Sequence, residues 1–553
     1  MLSTLELSNC RFFGQLPPTV GNLTELTHLG ISGNKFIGSI PSSLFAHPSL
    51  VWPQLSDNEF YGKVQELSNL SSSSLEFLDV GYNHLEGPIP KFFSELEQLR
   101  ILSLSSNKFN RTVHLEMFKN PYMEVLDLSH NDLFVQSTDT DSSLPPLLNV
   151  GAEFFSVSNN NLTGEIPPSI CNATKLEVLD LSANALTGSI PPCLPNNSVL
   201  GVLSLGRNNL SGTIPDTFSV NCSLQTLDLN RNVLTGKIPR SLVNCSSLEV
   251  LNVGNNRIED TFPCMLMKAS LRVLILRSNK FYGDLQCLEA IQEWLNLQII
   301  DISTNYFGGD ISHLSFSKWR GMISPNDNKQ SEYNNLRFDY SRGNYYQNAV
   351  TVTIKREEMK LTKILLIFTT IDFSNNKFHG KIPHSIGNLK SLYGLNLSHN
   401  DLTGSIPASI GNLRQLNSLE LSVNKLNGKI PVELASLTFI GFLNLSYNRL
   451  FGRIPEGPQL QTFSAASFEG NDGLYGCPVD TSCNEKESGV SPPGFQTEEV
   501  HLKKEIDWDY VSAALGFAVA FGSTVWLTLH CKRWREMFFG KVDQIYLKFF
   551  PKC

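Results

Sequence analysis

The chain has 553 residues, 41% hydrophobic and 17% charged, and its 44 Lys and Arg against 52 Asp and Glu leave a net charge of −8. That length suits several ordinary domains. The low charge content excludes a long disordered chain, and the acidic balance argues against a nucleic-acid partner.

Chain order shows one repeated element. LSANALTGSIP, LGRNNLSGTIP and LNRNVLTGKIP follow at 24-residue intervals between Leu181 and Pro239. Indexed on one asparagine per unit, the repeat runs through Asn34, Asn58, Asn83, Asn107, Asn131, Asn160, Asn184, Asn208, Asn232, Asn256, Asn279 and Asn305, then Asn376, Asn400, Asn424 and Asn448. Cys10 holds the asparagine place of a first unit, giving 17 units. The template is L-x-x-L-x-L-x-x-N-x-L-x-G-x-I-P, as in Leu395, Leu397, Asn400, Leu402, Gly404, Ile406 and Pro407. The L-x-L core reads as a short strand with its leucines inward. The asparagine satisfies backbone groups where the chain leaves the strand, and stacked units repeat it as a ladder. The glycine permits a tight return, and Ile-Pro starts an extended or short 3₁₀ stretch. No unit buries its leucines alone, so several separate domains give way to a single α/β-type repeat solenoid. Its expected form is a parallel concave β-sheet with a 3₁₀ and loop convex side.

Three places break the period. Pro53 replaces a strand leucine and weakens the local ladder, because it donates no hydrogen bond. The step from Asn131 to Asn160 carries a loop, STDTDSSLPP. The step from Asn305 to Asn376 spans 71 residues and holds an insert over 310–363, polar and rich in Tyr, Asn, Lys and Arg. Thirteen units over 1–309 therefore precede the insert and four over 364–456 follow it.

The concave face is the expected binding surface. Its outward position carries Asp79, Asp127, Asp180, Asp228, Asp301, Asp372 and Glu420. These acids either bind a basic ligand or are satisfied locally as part of the repeat's own pattern. Arg207 and Arg231 share one exposed position in adjacent units, with Arg277 two units on. Like charges stacked in this way need partners, supplied either by Asp180 and Asp228 or by an anionic ligand group.

Residues 457–510 read as a C-terminal cap and an acidic juxtamembrane stretch, with eight Asp and Glu against three Lys over 477–509. Cys477 and Cys483 are expected to pair at the end of the solenoid, and Cys264 and Cys287, one unit apart, have the same possibility. Residues 511–529, VSAALGFAVAFGSTVWLTL, carry no charge over a length that suits a bilayer-spanning helix. Lys532, Arg533 and Arg535 follow, which places the tail (530–553) in the cytoplasm and the repeats outside. That tail is either a basic amphipathic helix on the inner leaflet or an unstructured segment with aromatic anchors. Eleven N-x-S/T acceptors precede the span: Asn22, Asn69, Asn110, Asn161, Asn172, Asn196, Asn209, Asn221, Asn244, Asn396 and Asn444. Several arise from the repeat's own letters. MLSTLELSNC is already a repeat strand, so the expectation is a truncated gene model or transcript lacking its signal peptide and N-terminal cap.

The L-x-G-x-I-P signature resembles the plant-specific leucine-rich repeat. The order of repeats, island, four repeats, acidic stretch, span and short tail resembles the kinase-less plant receptor-like proteins of the disease-resistance type. The strings at 369–413 and 453–474, RIPEGPQLQTFSAASFEGNDGL among them, are particularly similar to that family. Its island motif of Tyr, eight residues, then Lys-Gly fits Tyr346 and Lys355, with Arg356 in place of the glycine. The family's closing G-L-C-G reads Gly473, Leu474, Tyr475 and Gly476, with Cys477 displaced. The resemblance implies a plasma-membrane receptor that binds an extracellular peptide, protein or glycan, often from a pathogen. It also implies signalling through a partner receptor-like kinase or adaptor. Tyr346, Lys355, Phe442 and Tyr447 are the expected contacts for that co-receptor, and Ala514, Ala518 and Gly522 form a small-residue stripe in the span. A developmental peptide-receptor subunit, a non-signalling copy and a secreted inhibitor are the other readings. The span disfavours the inhibitor. The chain has no phosphate-binding loop, HExxH, GxSxG or kinase string, so no catalysis, cofactor or metal is expected.

Overall fold

The computed structural model describes residues 2–67, 73–112, 120–134, 151–287, 293–323, 335–340 and 344–480. Within these, seventeen three-residue strands from Thr4–Glu6 to Phe442–Asn444 pair in one parallel sheet, one strand per unit. Equivalent residues lie opposite one another, Leu179 beside Leu203 and Leu203 beside Leu227. Leu179, Leu203 and Leu227 are buried in a single continuous core that runs from Leu16 to Leu474. The long insert leaves this stack intact, because strand Ile299–Asp301 pairs directly with Thr370–Asp372. The solenoid therefore carries the insert as an appendage.

The ladder asparagines repeat one geometry. Asn232 Nδ2 donates to the carbonyls of Leu205 (3.0 Å) and Leu229 (3.1 Å), while its Oδ1 accepts from the Leu210 N–H at 2.9 Å. Two of these three bonds cross to the preceding unit, so each amide joins neighbours as well as closing its own turn. Asn471 repeats the pattern beyond the last unit, through Leu445, Phe468 and the Leu450 N–H. The chain reaches each asparagine through a left-handed residue, such as Tyr82 (φ 50°), Arg231 (φ 52°) or Val423 (φ 52°). After it, the template glycine sits in a second, convex strand at positive φ, 75° for Gly404, which a Cβ would strain. Convex strands form a six-stranded ladder over the first units and a five-stranded one over the last. Proline-led 3₁₀ turns such as Ala408–Asn412 complete the unit.

Pro53 lies in strand Trp52–Gln54, which meets the next strand at the single pair Gln54–Asp79. This is the local weakening that a missing N–H produces. Cys264 bonds to Cys287, and Cys171–Cys193 and Cys222–Cys245 make two further staples between consecutive units. Cys477 is disulfide-bonded; its expected partner Cys483 lies outside the described residues, as do Asn69, the span at 511–529 and the tail. Among the described residues no helix is long and apolar enough to cross a membrane.

Candidate functional site

The insert forms two antiparallel hairpins. Asn335–Tyr340 pairs with Asn344–Gln347, and Val350–Ile354 pairs with Glu357–Leu361. The second hairpin alternates strictly, with Val350, Val352 and Ile354 buried and Thr351 and Thr353 between them. Its apolar face packs on Val250, Val273, Ile275 and Ile299, which point out of the concave sheet. Phe338 packs against Val178 and Val202. A Cβ on Gly201 would lie 2.2 Å from the Phe338 ring, so glycine is required there. Tyr340 stacks on Phe154 with ring centroids 5.2 Å apart. The insert is thus seated on the concave face itself.

Polar contacts clamp it in place, and they reassign the expected site residues. Glu358 of the insert receives both Arg231 and Arg277 at 2.6 Å. Arg277 is buried, donates to Thr353 Oγ1 at 3.0 Å and lies 3.8 Å from Asp301. It precedes the register position of Arg207 and Arg231, since Ser278 is the left-handed residue of its unit. Arg207 donates to Thr351 Oγ1 at 3.4 Å. The arginines are therefore engaged by the insert instead of being ion-paired to Asp180 and Asp228 or left open to an anionic ligand. The partner shared by Arg231 and Arg277 is Glu358, 127 residues from Arg231 in sequence.

Asp180 accepts the Tyr346 hydroxyl at 3.0 Å, which turns Tyr346 into the concave face and away from an outside partner. Lys355 lies exposed at the hairpin tip. Arg356 beside it has φ 67° and donates to Glu420 Oε2 at 2.9 Å. Phe442 is half-buried on its strand. Tyr447 is exposed but occupies the left-handed turn before Asn448, not a strand position. Asn444 is buried and donates to Glu420 at 3.2 Å, so the fold leaves no room for a glycan there. Asn396 is also engaged, donating to Asp372 at 3.2 Å. Asn22, Asn110, Asn161, Asn172, Asn196, Asn209 and Asn221 are exposed, while Asn244 is half-buried and donates to the Phe218 carbonyl.

The concave acids each spend one oxygen on their own turn: Asp79 accepts from the Gly81 N–H (2.9 Å), Asp127 from Ser129 (3.0 Å) and Asp228 from Asn230 (3.0 Å). Burial pushes Asp127 above the usual carboxylate range and Asp228 up to about 6. Burial, with Asp301 beside it, pushes Asp372 up to about 7. Burial and Asp180 hold the Tyr346 phenol protonated. Between the insert and the concave strands lies a groove of about 560 Å³, lined by Phe77, Asp79, Val125, Asp127 and Asp180 on one side and Tyr340, Tyr345 and Lys360 on the other.

Leucine-rich repeat family models match residues 198–258 as a block and 1–23, 25–46, 74–96, 119–133, 152–173, 175–197, 368–389 and 391–413 as single repeats. The chain is 36% identical over 530 residues to Receptor-like protein 35 of Arabidopsis thaliana, covering 95% of this chain and 45% of that one. It is 46% identical over 503 residues to Receptor-like protein 7 of the same plant, covering 85% and 51%. It spans about half the length of the curated relatives it matches. Among solved structures, the plant peptide hormone receptor RGFR1 in complex with RGF2 aligns with a TM-score of 0.63 at 26% identity, over 84% of this chain and 70% of that one. The Arabidopsis receptor kinase HAESA, in complex with the peptide hormone IDA and the co-receptor SERK1, aligns at 0.57 and 27% identity, over 85% and 82%.

Proposed function

The chain belongs to the plant leucine-rich repeat receptor-like proteins, and we propose that it recognises an extracellular ligand in the groove between its insert and its concave sheet. The observation that carries this reading is the insert folded onto the concave face with a groove of about 560 Å³ lined from both sides. A passive scaffold has no need of a clamped appendage that spends two arginines and a glutamate to stay there. The role is one of binding, not catalysis.

The rest of the assembly follows from the sequence. Residues 457–510 cap the solenoid and lead to a span at 511–529, with the repeats outside the plasma membrane and the tail of 24 residues inside. We assign intracellular signalling to a partner receptor kinase. HAESA in complex with SERK1 is a precedent for such pairing. The exposed tip at Lys355, together with Phe442 and Tyr447 on the last units, gives that partner its surface. The ligand is of pathogen origin or is an endogenous peptide; the hormone complexes of RGFR1 and HAESA favour keeping the second reading.

The test is a response assay in plant cells expressing the full chain, challenged separately with microbial extracts and with plant apoplastic peptides. Phe77→Arg is expected to abolish whichever response occurs at unchanged surface labelling, and an undiminished response would refute the groove as the recognition site.

A further inference from the structure

We infer that the ligand of this groove is an extended peptide carrying two basic side chains three residues apart beside apolar ones. This rests on the recognition reading above and names its chemistry. Two of the three candidate arginines, Arg231 and Arg277, are ion-paired to Glu358, while Arg207, which donates to Thr351, and Lys360 lie at the insert's end of the groove. The open part of the face is acidic. Pairing across the sheet places Asp79, Ser103, Asp127, Ser156, Asp180, Ser204 and Asp228 side by side. A carboxylate thus recurs on every second strand. Strands sit roughly 4.8 Å apart, so successive carboxylates are about 9.6 Å apart. A polyproline II chain has three residues per turn at about 3.1 Å each and returns to the same face every ~9.3 Å. The two periods match closely enough for a peptide laid across the strands to meet the row with every third side chain.

The row is open at one end. Asp180 is closed by the Tyr346 hydroxyl, and Arg207 lies near Asp228. Asp79 and Asp127 are half-buried, each with an oxygen on a turn N–H and Asp127 also bonded by the Ser129 and Ser105 hydroxyls, and neither has an ion-pair partner among the described residues. A second, independent feature runs beside them. Two residues earlier on the same strands, and so on the same face, stand Phe77 and Val125; Phe77 stacks on Trp52 at 4.3 Å, and all three side chains are half-buried. This apolar shelf continues the Phe154 position that Tyr340 of the insert covers. An incoming peptide extends that cover toward the N-terminal units, its basic groups on the acids and its apolar groups on the Trp52–Phe77 stack.

A decapeptide display library panned against the purified full chain in detergent tests this. Enriched peptides are expected to carry two Arg or Lys three residues apart with aliphatic or aromatic neighbours, and to bind more weakly as salt rises. The double variant Asp79→Asn, Asp127→Asn is expected to lose at least tenfold in affinity at unchanged thermal melting, while Tyr61→Ala, an exposed residue outside the groove, binds as wild type. Enrichment of acidic peptides that Phe77→Arg displaces would overturn the ligand class and leave the groove as the recognition site. Finding no peptide whose binding depends on any groove residue would overturn both. Full affinity in the double variant would overturn the carboxylate row.

Discussion

The buried asparagines of this solenoid are kept because they close backbone valences. The ladder asparagines do so at every turn, and this was legible in the sequence because a residue repeated at 24-residue spacing beside inward leucines must face the core. The concave acids were legible only in part. Their local bond to the N–H two residues on follows from the repeat, but the depth to which Asp228 and Asp372 are buried does not. That burial has a measurable consequence. The folded chain holds protons on these carboxyls up to about pH 6 and pH 7, whereas unfolded carboxylates release theirs near pH ~4. Between those limits the unfolded state binds fewer protons, so the stability these groups lend falls as pH rises through the window. The melting temperature is expected to be higher near pH ~5 than near pH ~8, and Asp372→Asn to flatten the difference. A melting temperature that rises across the same interval would contradict this assignment.

Among the elements, the hairpin at 350–361 shows where sequence reading stopped. The interruption of asparagine spacing located the insert, and the strict alternation of Val350–Ile354 held a strand signal that its polar surroundings masked. Its seat was not legible, since Glu358 and its two arginines are far apart in the chain and nothing local marks them as partners. Cys171–Cys193 and Cys222–Cys245 were more accessible: separations of 22 and 23 residues are close to one unit, the same signal that flagged Cys264 and Cys287. Arg356 is the informative departure from the family motif. Glycine would relieve its left-handed backbone by about 1 kcal/mol, yet Arg356 also supplies a partner of Glu420, whose side chain is 5% exposed. Arg356 is 59% exposed, and Glu420 keeps the Asn444 amide and the Ser422 N–H without it, so the pair acts chiefly to hold the hairpin tip on the sheet. Arg356→Gly is expected to speed amide exchange over 350–361 several-fold while strands Ser418–Glu420 and Phe442–Asn444 keep their protection. Equal protection of the hairpin in both proteins would show that the ion pair does not hold it.

Across the whole molecule, repetition divides the labour. Identical inward leucines and ladder asparagines make one long body, and the variable outward positions of the concave strands decide what rests on it. From Phe154 to Ile299 those positions are largely apolar and take the insert; from Trp52 to Val125 they pair an apolar shelf with carboxylates and stay open. The solenoid was readable because its period is strict, whereas the division of its inner face depends on a contact between distant segments. The most direct measurement is site-specific photo-crosslinking on the full chain at the surface of responding plant cells. A photoreactive phenylalanine analogue replaces Phe77 in the groove or, as a control, the exposed Tyr61 on the convex ladder. The expected result is a crosslink to an extracellular peptide or protein at position 77, competed by the active extract, and none at position 61. A crosslink at position 61 with none at position 77 would contradict recognition in the concave groove.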